Sequence, residues 1–115
     1  MIDKADRDRL RDMLRYAEEA IEFVGELDAG SLAADRRTLL AVLYCLLVVG
    51  EAAGRVSAGT RAHLPAVRWT QVTGMRHHLA HGYGDIRTEI VVGTVRQDLP
   101  VLTSMLRNAL EDDVS

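Results

Sequence analysis

Apolar residues at Leu10, Leu14, Ala17, Ile21, Val24 and Leu27 recur at intervals of four, three, four, three and three. That spacing draws one stripe along a helix and leaves the other faces charged, so an amphipathic helix is predicted from about Asp3 to Leu27. The turn residues "DAGS" at 28–31 end it. A second helix is predicted from about Asp35 to Val56. Its stretch "LLAVLYCLLVV" is apolar on every face. One helix of a small bundle shows only part of its circumference to its own core, so this pattern predicts a further partner on the outer side, most simply a second copy of the chain. The "GEAAG" that follows is small enough for close backbone approach.

Residues 57–69 read as a short helical turn and a loop around Pro65, and a third helix is expected from Thr70 until Gly82 and Gly84 stop it. The fourth runs from about Arg87 to Leu110. Pro100 lies inside it, yet Val91, Val95, Leu99, Leu102, Met105, Leu106 and Ala109 keep helical phase across the proline, which predicts one kinked helix rather than two. The acidic end, from about 109 to 115, reads as a frayed tail. The expected fold is therefore all-α, an up-and-down four-helix bundle with a short extra helix.

Composition narrows this picture. With 115 residues, the chain reads as a single domain over 1–115. Cys45 is the one cysteine, so no disulfide can form within a chain. The first residues, "MIDKADRDRLRDML", are charged and lack the apolar core of a secretion leader, and the apolar run Leu39–Val49 is short for a bilayer span. A cytoplasmic protein without membrane contact is the expectation. The net charge of −3 argues against a general nucleic-acid binder, but it conceals an asymmetry. Residues 52–84 contain no Asp or Glu, while they hold Arg55, Arg61, Arg68, Arg76 and all four histidines. Folded onto one surface, that segment makes a locally positive cleft.

Its centre is "GMRHHLAHGY", residues 74–83. His77 and His81 stand at i, i+4, a spacing that suits two metal ligands, but no third or fourth ligand is evident nearby. A solvated cationic helix end is the second reading, and it accommodates His78 and His63. The third is catalytic. Arginine offers phosphate oxygens a permanently charged planar fork, and histidine moves protons near neutral pH. Arg76 and His81 together have the chemistry to cleave RNA without a metal. On a regular helix, positions i and i+5 lie about 140° apart, so this pair would not share a face. Either the helix loosens near Gly82 or the site draws on a second chain.

The stretch "WTQVTGMRHHLAHGYGDIRTEIVVGTVRQDLP" resembles the signature region of HepT-like proteins, a branch of the HEPN superfamily. Arg76, His81 and Tyr83 match its Arg-x4-His-x-Tyr motif. "RDMLRYAEEAIEFV", "GEAAGRVS" and "HLPAVRW" fall in compatible order, so the resemblance covers essentially the whole chain. It implies a HEPN-type homodimer with the motifs of both chains facing one cleft, and a toxin that is a metal-independent ribonuclease using Arg76 and His81. It also implies an antitoxin partner, an MNT-type nucleotidyltransferase able to attach AMP to Tyr83. No cofactor is implied. His77 departs from the family, which usually has Asn after the motif arginine. Glu51 matches the acid of the family's "GEA" and is a candidate to orient a site arginine, with an ordinary ion pair to Arg55 as the alternative. Arg68 and His77 are candidate supporting or substrate-binding residues. Trp69 is expected to anchor the core or an interface, and Tyr16 and Tyr44 to pack. The rival reading is a non-catalytic dimeric module that binds a nucleotide or the partner transferase.

Overall fold

The computed structural model describes residues 2–75 and 85–114, which are mostly helical with no β-strand among them. The helices are α1 (Lys4–Val24), α2 (Ala29–Ala34), α3 (Arg36–Gly54), α4 (Ala58–His63), α5 (Trp69–Thr73), α6 (Thr88–Gly93) and α7 (Leu99–Val114), with a π-helical segment at Thr94–Asp98 between the last two. The predicted run of the third helix beyond Met75 falls outside the described residues.

Four starts share one chemistry. Asp3, Asp28, Asp35 and Ser57 each accept a hydrogen bond from the backbone N–H three residues on, which satisfies an otherwise orphaned helix donor. This corrects the reading of "DAGS" as a plain terminator. Asp28 caps α2, a helix the periodicity did not reveal. The stop for α1 is Gly25, whose φ of 51° suits a residue without Cβ and whose N–H reaches the Ile21 carbonyl at 3.0 Å.

The buried face of α1 is Leu10, Met13, Ala17, Ala20 and Val24. Leu14, Ile21 and Leu27 of the predicted stripe are only half-buried, because α1 sits between two neighbours, α3 and α7, and the seam between them is centred on the alanines. Both neighbours run antiparallel to α1. Asp6, at the start of α1, bonds Ser57, just past the end of α3. Arg7 bonds Asp113, and Glu18 bonds Arg107, so the end of α7 meets the start of α1. Arg96 ties the π segment to the Gly25 and Leu27 carbonyls at 3.2 and 2.6 Å.

Pro100 does not interrupt the last helix. At the end of the π segment the Leu99 N–H bonds Thr94 O, an i to i−5 bond that resets the register. Pro100 then falls in the first turn of α7, where a missing N–H is tolerated. Val91, Val95, Leu99, Leu102 and Leu106 stay buried in the predicted phase. The tail expected to fray is instead helical to Val114. Asp113 accepts from Ile2 N at 2.9 Å and from Arg7 Nε and Nη2 at 3.0 and 2.7 Å, and these bonds tie the two ends of the chain together.

α3 buries Leu39, Val42, Cys45, Leu46, Val49, Ala52 and Ala53. Its opposite side leaves Leu40 46 % and Tyr44 58 % exposed. By length and composition α3 is long and apolar enough to cross a bilayer, although one face of it is packed into the bundle.

Candidate functional site

Arg76, His77, His81 and Tyr83 lie outside the described residues, together with His78, Gly82 and Gly84. The structure shows how the two ends of that stretch are held. On the incoming side, α5 leads straight to Met75. Its first residue, Trp69, donates from Nε1 to Leu64 O at 3.1 Å, which closes the loop around Pro65. Arg61 places its guanidinium 5.5 Å from the centre of the Trp69 ring and also donates to Ala53 O and Val56 O at 2.9 and 3.1 Å. The end of α3, the α4 turn and the start of α5 are thereby fastened by one side chain, whose cation is partly satisfied by the indole face. The sequence reading counted Arg61 only as a positive charge.

Val72 and Met75 are buried in the core. Across from them α3 presents Gly50, where a Cβ would lie 3.3 Å from Val72 O and 3.6 Å from Thr73 O. Within "GEAAG" it is Gly50 that serves a close backbone approach, and the helix it admits is α5, which leads toward Arg76 in the chain. On the outgoing side, Ile86 packs on the core and Arg87 precedes α6.

Arg68 is exposed just before α5. It borders a depression walled by Gln71 and Met75 on one side and by Asp98, Leu102 and Met105 on the other. Because Met75 lines it, the depression opens beside the entry to the motif stretch. Glu51 is elsewhere. It is exposed in a second groove with Arg9, Asp12, Tyr44, Val48 and Arg55, so the structure does not bring Glu51 and Arg68 together. Glu51 makes no ion pair among the described residues, with Arg55 or any other. His63 is exposed, with Nδ1 3.0 Å from Gly59 O. Among the described residues no three His, Cys, Asp or Glu side chains are grouped to hold a metal ion.

One polar group the sequence reading passed over is Asp6. It lies on the buried face of α1, 4 % exposed, and accepts from Ser57 Oγ and Thr60 Oγ1, both at 2.5 Å, and from Ser57 N at 3.0 Å. The Ser57 and Thr60 hydroxyls hold its carboxyl below the usual carboxylate range, against the opposing effect of burial. The signal was present in the sequence, since residue 6 is in phase with 10, 13, 17, 20 and 24. An acid in that phase calls for dedicated donors.

Comparison with known proteins places this frame in a family. The sequence matches the Ribonuclease HepT-like family over residues 13–109. It is 27 % identical over 99 residues to a protein of Thermococcus cleftensis named "Probable ribonuclease HepT", covering 86 % of this chain and 90 % of that one. Two relatives from Methanocaldococcus jannaschii carry the term RNase in their names. One is 26 % identical over 103 residues (90 % of this chain, 89 % of the relative) and the other 30 % over 91 residues (79 % and 84 %). No solved structure matches the chain. With the matched region running from α1 to α7 and spanning the whole motif stretch, the chain belongs to the Ribonuclease HepT-like family.

Proposed function

We propose that this protein is a metal-independent ribonuclease whose chemistry is carried by Arg76 and His81, and that it works as a homodimer. In this reading it is the toxin of a pair, held in check by an MNT-type nucleotidyltransferase that attaches AMP to Tyr83. The observation that supports the reading most is family membership over 13–109, because that span includes the complete Arg-x4-His-x-Tyr pattern. Two features agree with it. The segment 52–84 carries cations and no carboxylate, which favours an RNA phosphate. The entry to the motif is fixed by Trp69, Arg61 and the Gly50 contact, as positioned catalytic groups require.

The chemistry follows from the residue types. His81 accepts the proton of a ribose 2′-hydroxyl, the 2′-oxygen attacks the adjacent phosphorus, and the bond to the 5′-oxygen breaks with that oxygen taking up a proton. Arg76 holds the non-bridging oxygens as charge builds on them. The products are a 2′,3′-cyclic phosphate and a 5′-hydroxyl. Arg68 and His77 supply further contacts to the substrate. At Tyr83 the phenol attacks the α-phosphate of ATP in the transferase and pyrophosphate leaves. The phosphodiester then set beside Arg76 and His81 occupies the anion site and repels RNA.

The test is cleavage of RNA by the purified protein in EDTA. The wild type cuts, and substitution of Arg76 or His81 by Ala lowers the rate at least about a hundredfold, the usual scale of a lost acid–base group. An RNA with 2′-deoxyribose at the cut position stays intact. Cleavage by His81→Ala at the wild-type rate defeats the mechanism. An inert wild type that still binds nucleotide or the transferase returns the non-catalytic module. Co-expression with the transferase, followed by intact-mass measurement, locates AMP on Tyr83 or rejects that site.

A further inference from the structure

The outward side of α3 carries a stripe that reads the same in both directions. Arg37, Leu40, Tyr44, Val48 and Glu51 are spaced three, four, four and three residues apart. At about 100° per residue all five fall within roughly 40° of the direction of Tyr44. Leu47 lies along the edge, whereas Leu43, one step further round, packs on the core of its own chain. The stripe thus has an apolar middle, with Leu40 and Tyr44 exposed and Val48 half-buried, a cation at one end and an anion at the other. Neither Arg37 nor Glu51 makes a salt bridge at contact distance among the described residues, and the anion that Arg37 does feel is Asp35, two residues before it.

We infer that a second copy of this chain lies antiparallel on this stripe, with the two-fold axis at Tyr44; the inference rests on the homodimer proposed above and fixes its register. A two-fold contact must be complementary to itself, and this stripe is. Leu40 meets Val48 of the second copy, Tyr44 meets Tyr44, and Arg37 meets Glu51 at both ends. A parallel arrangement would set Arg37 against Arg37 and Glu51 against Glu51, and like charges are repelled. An apolar centre rimmed by charges is the anatomy of a stable interface, and a tyrosine at the middle is a favoured anchor. Tyr44 is already oriented for that place, since Tyr16 braces it edge-to-face with ring centres 6.1 Å apart. Beside it, Arg9 and Asp12 of α1 pair at 3.7 Å along the groove and extend the contact beyond α3.

Sedimentation at micromolar concentration tests both levels. The wild type is a dimer, Arg37→Glu and Glu51→Arg each weaken it at least about tenfold, and the two together recover most of the loss. In a Cys45→Ala background, Tyr44→Cys closes a disulfide across the axis under mild oxidation, while Val101→Cys, equally exposed but on α7, does not. A wild-type dimer whose affinity ignores both charge reversals and whose Tyr44→Cys form fails to link overturns the register and leaves the dimer standing. A wild-type monomer overturns the dimer and the register with it.

Discussion

At the scale of single residues, the polar groups that matter most for the frame are those that the core tolerates only because they are paired. Asp6 is the clearest. Its three donors come from Ser57 and Thr60, so one carboxylate joins the start of α1 to the start of α4. Asp6→Asn removes the charge and leaves an amide that accepts at one atom only. At pH 7 it is expected to cost about 1–3 kcal/mol, the range for an unmet buried hydrogen-bonding group. The pH dependence has a definite sign. The folded pKa of Asp6 is lowered, so its contribution is full above the unfolded value near 3.9 and is lost as pH falls through the folded pKa. The stability gap between wild type and Asp6→Asn, measured by urea melts, therefore closes below about pH 4. A gap that persists unchanged at pH 3 would show that the carboxylate's charge is not what stabilises this junction. Asp113 is shifted the same way, by Ile2 N–H first and Arg7 second, so the terminal clasp also loosens in acid. None of this is legible in apolar periodicity, to which a charged residue such as Asp6 contributes nothing.

Among elements, α5 is the short piece that leads into the candidate site, and its seat is a glycine. Gly50→Ala adds a methyl that meets the Val72 carbonyl at 3.3 Å, and the obstacle is backbone rather than a flexible side-chain tip. Gly93→Ala is the matched control. Gly93 has helical angles of −60° and −44°, and an added Cβ there meets nothing within 4 Å. Gly93→Ala should stabilise by about 0.5–1 kcal/mol from helix propensity alone. Gly50→Ala should forfeit that gain or reverse it, and should slow RNA cleavage several-fold by shifting the helix that leads to Arg76. Equal thermal gains with unchanged cleavage in both variants would mean that α5 accommodates the methyl freely. The long helices were legible because apolar periodicity survives for many turns, and it carried correctly through Pro100. α2 was not legible, since six residues hold too little periodicity and its Asp28 cap looks like any turn residue. The end of α7 was misread for a related reason: "EDDVS" is polar, and the bond from Asp113 to the start of the chain is invisible to local pattern. The candidate site was legible as a motif through its likeness to a family. The close approach at "GEAAG" and the anchoring by Trp69 were legible too, but not which helix Gly50 admits nor that Arg61 fastens Trp69, because those contacts join residues from three different elements.

For the whole molecule, the distribution of charge and the dimer raise one question together. An acidic chain with a segment, residues 52–84, that carries cations and no carboxylate concentrates positive potential there, and two such segments facing one cleft would double it. The spacing of the proposed catalytic pair bears on how the cleft is built. Positions five apart diverge by about 140° on a regular helix, so an arginine and a histidine on one strand of the motif would point to different sides. A homodimer resolves this if each working centre takes Arg76 from one copy and His81 from the other. Mixing two inactive proteins then tests it. Arg76→Ala and His81→Ala protomers, unfolded together and refolded at equal concentration, form mixed dimers in about half of the population by random association. In each mixed dimer one centre carries both substitutions and the other carries neither. RNA cleavage should therefore return to about a quarter of the wild-type rate, although each parent alone is inert. The recovered activity should fall on dilution in step with dimer dissociation, and Arg37→Glu in both parents should abolish it if the α3 stripe is the contact. If each centre instead draws both residues from a single chain, every centre in the mixture is defective and no activity returns, which would place the catalytic pair in cis and require the helix to loosen between Arg76 and His81.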